Sequence, residues 1–283
     1  MGEISVRKPE WLKTKIPVGK DYIGVREIVE KNNLHTICTS GHCPNMAECW
    51  GRGTATLMIL GDVCTRACKF CNVKTGRPLP ADWKEPDRVA ESVRKMGVKH
   101  CVLTSVDRDD LDDGGAGIWA LTVERVKEVN PTTTLETLIP DFDGNTKLIR
   151  KVIEAGPEVV SHNLETVRRI TPIVRSKARY ELSLDVLEYI ASAGVRSKTG
   201  IMVGLGETEE EVFETMDDAR KRGVEVFTIG QYLQPTKKHL KVHSFITPDA
   251  FKKFRKAGLE MGFRHLESSP LVRSSYHAEK HVH

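Results

Sequence analysis

The chain lacks any apolar stretch approaching the roughly 18 residues that a membrane span requires. Its first thirty residues, MGEISVRKPEWLKTKIPVGKDYIGVREIVE, mix acids, bases and prolines and hold no apolar signal-peptide core. Membrane insertion is thereby excluded and export is not expected. The expected compartment is the cytoplasm, or the mitochondrial matrix if a targeting peptide has been removed. Charge of one sign is also scarce: 43 Lys and Arg against 39 Asp and Glu leave a formal net charge of +4, too little to argue for nucleic-acid binding. There is no glycosylation sequon, no low-complexity tract and no fixed-period repeat. No apolar repeat stands out as a self-association surface, so a monomer is expected.

What is present is an ordinary globular composition, 39% hydrophobic and 29% charged over 283 residues, enough for one large domain or two modest ones. From residue 54 onward, six short β-branched or apolar runs alternate with amphipathic helical patterns: TATLMIL (54–60), HCVLTSV (100–106), TTLETLI (133–139), EVVSHNL (158–164), KTGIMVG (198–204) and VFTIGQYL (226–233). Helices are predicted over 86–97, 116–129, 145–156, 180–194, 208–223 and 248–260, most of them stopping at or near a glycine. Near-continuous apolar strands alternating with helices imply a parallel sheet covered on both faces. A βαβ unit takes roughly 30 residues and a complete eight-unit barrel about 250. The fold class is therefore α/β, an incomplete (βα)6 TIM-type barrel over 54–235. Residues 1–53 and 236–283 form N-terminal and C-terminal extensions packed on it, the latter ending in the irregular LESSPLVRSSYHAEKHVH.

Cysteine is the informative residue. Six of the seven lie between positions 38 and 71, whereas Cys101 reads as a small core hydrophobe. Clustered cysteines in a chain not expected to be exported favour metal binding or catalysis over disulfides. The stretch GDVCTRACKFCNV places Cys64, Cys68 and Cys71 on the loop leaving the first strand, at the C-terminal mouth where barrel active sites are built. A structural zinc site closes with a fourth Cys or His and favours two-residue gaps. Three thiolates instead leave one corner of a four-iron cubane open. A second triplet, Cys38, Cys43 and Cys49, lies just upstream and suggests another thiolate-bound cluster. His42 is one candidate for its fourth ligand.

The C-x-x-x-C-x-x-C spacing, with Phe70 before the third cysteine, resembles the radical S-adenosylmethionine superfamily. Both triplets together with RSSYHA (273–278) closely resemble the lipoyl synthase family over nearly the whole chain. The resemblance implies two [4Fe-4S] clusters and S-adenosylmethionine as cofactors. It implies that Cys64, Cys68 and Cys71 hold the cluster that cleaves S-adenosylmethionine. It also implies that Cys38, Cys43, Cys49 and the second serine of the motif, Ser275, hold a sacrificial auxiliary cluster, with the tail folded back onto the N-terminal extension. A hard alkoxide among soft thiolates is a ligand easily displaced; on residue type alone, Ser274 and Ser275 read as a turn or a helix cap in preference to a ligand. Arg273 beside them either makes a charge-assisted hydrogen bond or is solvated.

The same resemblance implies that the loop DRDDLDDGGAG reads the methionine amino group through backbone carbonyls, with Gly114 and Gly115 permitting close approach. It assigns Asn163 and Glu165, in SHNLET, to the ribose hydroxyls, and Ile201 and Gly204 to the adenine. Gly-x-Gly-Glu at 204–207 is weak by itself, since no third glycine completes a dinucleotide fingerprint, and Thr208 to Glu211 reads as a capping box. Lys198 and Arg175 are expected near the barrel mouth. The basic stretch PTKKHLKVH (235–243) reads as a solvated loop or as a docking surface for an acidic carrier. The implied reaction inserts sulfur at C6 and C8 of a protein-bound octanoyl-lysine. Its implied partners are octanoylated lipoyl carrier domains or a glycine cleavage carrier protein, an electron donor such as flavodoxin or ferredoxin, and an iron-sulfur carrier for cluster repair. The rivals are a biotin-synthase-like enzyme acting on a free small molecule and a noncatalytic zinc-binding module.

Overall fold

Runs of apolar residues too short for helices and flanked by glycine or polar turns fold as strands, and those of this chain pair in parallel. The computed structural model describes residues 8–13, 20–32, 34–51 and 56–282. The boundary expected at 53/54, and the first two residues of the first predicted strand, lie outside the described residues. The N-terminal stretch contributes α1 (Lys20–Lys31), β1 (His35–Thr36), α2 (Ile37–Ser40) and α3 (Met46–Gly51). Then come β2 (Thr56–Ile59), the short β3 (Val63–Cys64) and β4 (Lys74–Thr75), α4 (Glu85–Met96), β5 (His100–Ser105), α5 (Ala116–Val129), β6 (Thr134–Leu138), α6 (Thr146–Glu154) and β7 (Val159–Ser161). The chain continues through α7 (Thr171–Val174), α8 (Tyr180–Ser192), β8 (Arg196–Val203), α9 (Glu209–Lys221), β9 (Val226–Gln231), α10 (Pro248–Glu260) and β10 (His265–Ser268).

Among the described residues the main sheet runs β1-β2-β5-β6-β7-β8-β9-β10, parallel throughout except for the antiparallel edge strand β1. Six βα units from β2 to α10 give the partial barrel expected. One element departs from expectation: β10, placed in the irregular tail by sequence, pairs in parallel with β9 as a seventh parallel strand. Its four residues, His-Leu-Glu-Ser, alternate in burial, so it lacks the continuous apolar run that marks its neighbours. No described helix is long and apolar enough to cross a membrane.

Period-two alternation divides each strand between two environments. Leu103, Leu135, Val160, Ile201, Val203, Phe227 and Ile229 face the helices and are buried in two apolar clusters. These meet along α8, where Val186 and Ile190 belong to one and Leu184 and Leu187 to the other. The opposite parity fills the interior with polar groups. Lys198 and Glu136, both fully buried, pair there at 2.7 Å to each carboxylate oxygen, and Ser161 Oγ donates to Glu136 at 3.1 Å. Lys198 thus lies deep inside the barrel and not at its mouth, a correction to the sequence reading: it is the third residue of its strand, well before the C-terminal end.

Nearer the mouth a directed network stiffens the end of β7. His162 Nδ1 donates to the Ile139 carbonyl at 3.0 Å, which leaves Nε2 to accept from Ser183 Oγ at 3.0 Å; Arg175 Nη1 in turn donates to that hydroxyl oxygen at 3.0 Å. The network needs a neutral imidazole, and burial followed by the Arg175 charge pushes His162 down to about 4.

Two outcomes are expected. Lys198→Met, which strands the Glu136 carboxylate, lowers stability by about 3–5 kcal/mol, while Glu136→Leu/Lys198→Met recovers most of the loss; urea denaturation midpoints check this. For His162 the folded value lies below the ordinary value of about 6.5, so the unfolded chain takes up the proton first. Its contribution is intact above about pH 6.5 and is lost as pH falls toward about 4, by about 3 kcal/mol in all. His162→Gln should flatten this part of the pH dependence, and equal slopes for the two proteins would exclude the role.

Candidate active site

The loop leaving β2 folds back through the β3–β4 pair, which holds Cys64 opposite Thr75. Two backbone N–H groups, of Arg66 and Asp107, donate to Cys64 Sγ at 3.4 and 3.3 Å. Burial, then the Asp107 carboxylate, pushes the Cys64 thiol up to about 11; burial pushes Cys71 up to about 12. Cys64 and Cys68 both act electrostatically on Cys71, so the first triplet is one neighbourhood. Arg66, between the first two cysteines, is buried and reaches across the mouth. It donates twice to Asp109 (2.9 and 2.8 Å) and twice to Asp141 (2.8 Å each), joining the loops that follow β2, β5 and β6. Burial alone would raise Asp141, but the guanidinium holds it well below the ordinary carboxylate range. The fourth side of the loop is the basic stretch: His239 Nε2 donates to the Cys71 carbonyl at 3.0 Å.

Cys64, Cys68 and Cys71 line a cavity of about 610 Å³ at the C-terminal end of the sheet, together with Phe70, Asn163, Glu165, Arg175 and Met202. Asn163 Nδ2 donates to Glu165 Oε1 at 3.1 Å. Asn163 Oδ1 and Arg175 Nε, an acceptor and a donor, are buried with no hydrogen-bond partner among the described residues. Glu165 is held at φ +68, a left-handed conformation that costs an L-residue about 1–2 kcal/mol. Its backbone pays for this by bridging β8, with its N–H on the Gly200 carbonyl and its carbonyl on the Met202 N–H. The strain presents the carboxylate to the cavity.

The structure does not bring the other sequence-predicted cofactor contacts to this cavity. Ile201 faces the helices and Met202, one residue on, lines the wall; period-two alternation makes that difference. Gly204 packs against Gln231 and the Ser244 carbonyl, where a Cβ would lie 2.1 and 2.5 Å from their atoms. Gly114 and Gly115 form the turn into α5. Asp113 caps that helix through the N–H groups of Gly115 and Gly117, and a Cβ on Gly115 would strike Leu60. The wall from this loop is Ser105, Val106 and Asp107 instead.

A second cavity of about 380 Å³ is lined by Cys38, Cys43, Cys49 and Ser275, with Thr56, His100 and His277. Burial pushes Cys38 up to about 11 and also raises Cys43. Thr56 Oγ1 donates to Ser275 Oγ at 2.9 Å, Asn45 Nδ2 donates to the Leu271 carbonyl at 2.7 Å, and the Tyr276 hydroxyl meets Glu48. The tail therefore does fold back onto the N-terminal extension. Ser274 lines the first cavity and Ser275 the second; His42, the other fourth-ligand candidate, lines the first.

All seven cysteines are free thiols. Among the described residues, no three His, Cys, Asp or Glu side chains converge as a single metal ion would require. A tetrahedral ion at about 2.3 Å from each sulfur draws sulfurs to within about 4 Å of one another; a cubane, with each thiolate on a different iron, sets them farther apart. Each cavity has the donor set and the room for such a cluster. Arg66, Asp141 and Met202 escaped sequence reasoning. The arginine inside the cysteine triplet was the available signal, since a charged residue in a buried loop demands partners.

Residues 58–219 match the radical SAM superfamily, and residues 2–43 match the N-terminal domain of lipoyl synthase of that family. A lipoyl synthase of Flavobacterium johnsoniae is 62% identical over 276 residues, covering 97% of this chain and 96% of the relative. A mitochondrial lipoyl synthase of Nematostella vectensis is 60% identical over 277 residues, covering 98% of this chain and 95% of the relative. Among solved structures, the FeFe-hydrogenase maturase HydG from Carboxydothermus hydrogenoformans shares the fold, with a TM-score of 0.57 at 13% identity over 91% of this chain and 76% of that one. The superfamily implies an iron-sulfur cluster and S-adenosylmethionine, and by these relatives the chain belongs to the lipoyl synthase family of radical SAM proteins.

Proposed function

We propose that the chain is a sulfurtransferase that inserts two sulfur atoms, at C6 and C8, into an octanoyl-lysine of a lipoyl carrier domain or a glycine cleavage carrier protein, and that it holds two [4Fe-4S] clusters to do so. The observation that carries this reading is the pair of adjoining cavities, one with Cys64, Cys68 and Cys71 and the other with Cys38, Cys43, Cys49 and Ser275. When bound, the first cluster supplies the electron for cleavage of S-adenosylmethionine and the second supplies sulfide, chemistry that side-chain acids and bases do not perform on an unactivated C–H bond.

The residues of the chain do the rest. Cys64, Cys68 and Cys71 would hold the first cluster as three thiolate ligands, a set one short of four that would leave room for the methionine part of S-adenosylmethionine. Asn163 Oδ1 and the Glu165 carboxylate accept from the ribose hydroxyls, which satisfies the buried orphan acceptor. Arg66 keeps the cysteine loop in place through its two aspartates. Phe70 and Met202 give the cavity an apolar wall that excludes water from a radical. Ser275, held by Thr56, completes the second set as the hard and displaceable ligand. An electron donor and an iron-sulfur carrier for repair follow from the same chemistry, and the reducing cytoplasm or mitochondrial matrix is its setting.

After anaerobic reconstitution the protein should carry about eight iron and eight sulfide per chain; a colourless zinc protein would end the reading. Changing Cys64, Cys68 or Cys71 to Ala should abolish deoxyadenosine formation. Changing Cys38, Cys43 or Cys49 to Ala should spare it but abolish the gain of two sulfurs by an octanoylated carrier peptide, read by product mass in a single turnover. An identical loss from both sets with all iron retained sinks the division of labour. Lys237, Lys238 and Lys241 are exposed on the loop that covers Cys71. Replacing all three with Glu should slow turnover of an acidic carrier and reduce its salt sensitivity while leaving cleavage of free S-adenosylmethionine intact; unchanged carrier kinetics removes the docking role.

A further inference from the structure

Among the described residues, only Cys43 and Arg273 line both cavities, so these two side chains form the wall between them. Arg273 is partly buried there, and one of its five N–H groups is accounted for: Nη1 donates to the Val272 carbonyl at 2.6 Å. No carboxylate among the described residues pairs with it. Lys8, a charge of the same sign, shares the first cavity with it, and the Cys43 thiol, a group able to become an anion, shares the wall.

This cation is placed with care. The tail that carries it is tied down by the Asn45 amide on the Leu271 carbonyl, by the Gln231 N–H on the Pro270 carbonyl at 3.2 Å and by the Tyr276 N–H on the Arg273 carbonyl at 2.8 Å. It crosses β9 at Gly230, where a Cβ would lie 2.0 Å from the Val272 carbonyl oxygen and 3.1 Å from Arg273 Nη1. Only glycine admits this crossing. A guanidinium fixed at a wall of thiols, with no carboxylate among the described residues paired to it, is an unfavourable arrangement unless an anion fills the cavity beside it. Three thiolates on a cluster in the second cavity are such an anion, and the charge around an iron-sulfur cluster sets its reduction potential.

We propose that Arg273 is a positioning residue that supplies the fixed countercharge to the cluster held by Cys38, Cys43, Cys49 and Ser275, on the side facing the first cavity, and so raises that cluster's reduction potential. The inference rests on the two-cluster reading above. A fixed cation favours the more negative, reduced form, whereas a purely mechanical tether would leave the potential unmoved.

The test is a potentiometric titration, followed by electron paramagnetic resonance, of anaerobically reconstituted wild type, Arg273→Gln and Arg273→Lys, with iron counted in each. The second cluster's signal is assigned in a Cys64→Ala/Cys68→Ala/Cys71→Ala background. The expected result is a negative shift of the second cluster's midpoint in Arg273→Gln, little shift in Arg273→Lys, and none for the first cluster in either. If the glutamine variant loses the second cluster and the lysine variant keeps it, the charge role also stands. A glutamine variant at the wild-type potential, equal displacement in both variants, or loss of the cluster from both overturns it. A wild type holding only about four irons overturns the two-cluster reading and this inference with it; two clusters with an unmoved glutamine potential overturn this inference alone.

Discussion

Burying a thiol is easy and burying a thiolate is not, and the architecture of this chain follows from that asymmetry. Burial favours the neutral thiol, with Cys38 and Cys64 pushed up to about 11 and Cys71 to about 12. Iron reverses the balance, because a coordinated thiol loses its proton outright. Occupying the cavities and ionising their walls are therefore one event, and proton release accompanies it. The two N–H groups aimed at Cys64 Sγ support the ionised form and cost little in its absence. A single larger cavity would have set six thiolates against one another. The structure divides them, and the dividing wall carries a cation.

The barrel around these cavities is polar where barrels are usually packed with branched apolar side chains. Lys198 with Glu136, Ser161, and the chain from Arg175 through Ser183 and His162 to the Ile139 carbonyl occupy the interior parity of β6, β7 and β8 and the turn after β7. Directional bonds fix side chains more tightly than apolar contact does, and a site that must hold a reactive radical away from its own walls needs that rigidity. Arg66 extends the same principle to the mouth. Its two pairs of bonds join loops from three βα units, so the cysteine loop cannot move without moving Asp109 and Asp141.

How much of this was legible in the sequence depended on the distance over which each feature is determined. Strand and helix positions follow local periodicity, and α5 and α10 start and stop where the pattern says. The cysteine triplets are also local, eight and twelve residues from end to end, and loops that short keep their thiols near one cavity wall. What escaped depended on partners far along the chain or on a single step of register. Arg66 finds Asp141 75 residues away. Ile201 and Met202 exchange faces with one step of the pleat. The Gly114-Gly115 pair lies in a run of acids that reads as a ligand loop or as a helix entry, and the packing of Gly115 against Leu60, which leaves no room for a Cβ, is set by a residue more than fifty positions away. β10 lacked an apolar run to announce it, and Lys198 read as a mouth residue because sequence shows a strand but not which of its residues lies deep.

The second cavity shows what the remote ends of the chain accomplish. Its cysteines and its serine come from residues 38–49 and from Ser275, on opposite sides of the six βα units, while Thr56, His100 and Val102 of β2 and β5 and the turn at 96–99 help to complete its walls. The Thr56 to Ser275 hydrogen bond closes a span of 219 residues. For a free chain, closing a loop of that length costs about 5 kcal/mol in entropy, more than one hydroxyl pair returns. The span closes because the parallel sheet has already shortened it: β2 and β9 are fixed in one sheet, and the tail leaving β10 has only to cross Gly230 to reach the N-terminal extension. The first cysteine loop is also held across the chain, by Arg66 to Asp141 and by His239 to Cys71, 75 and 168 residues apart, while the second set comes together only where the two ends of the chain meet. The second group of cysteines and Ser275 is thus drawn from the two ends of the chain and set against residues of β2 and β5, so its geometry depends on the sheet that brings those ends together.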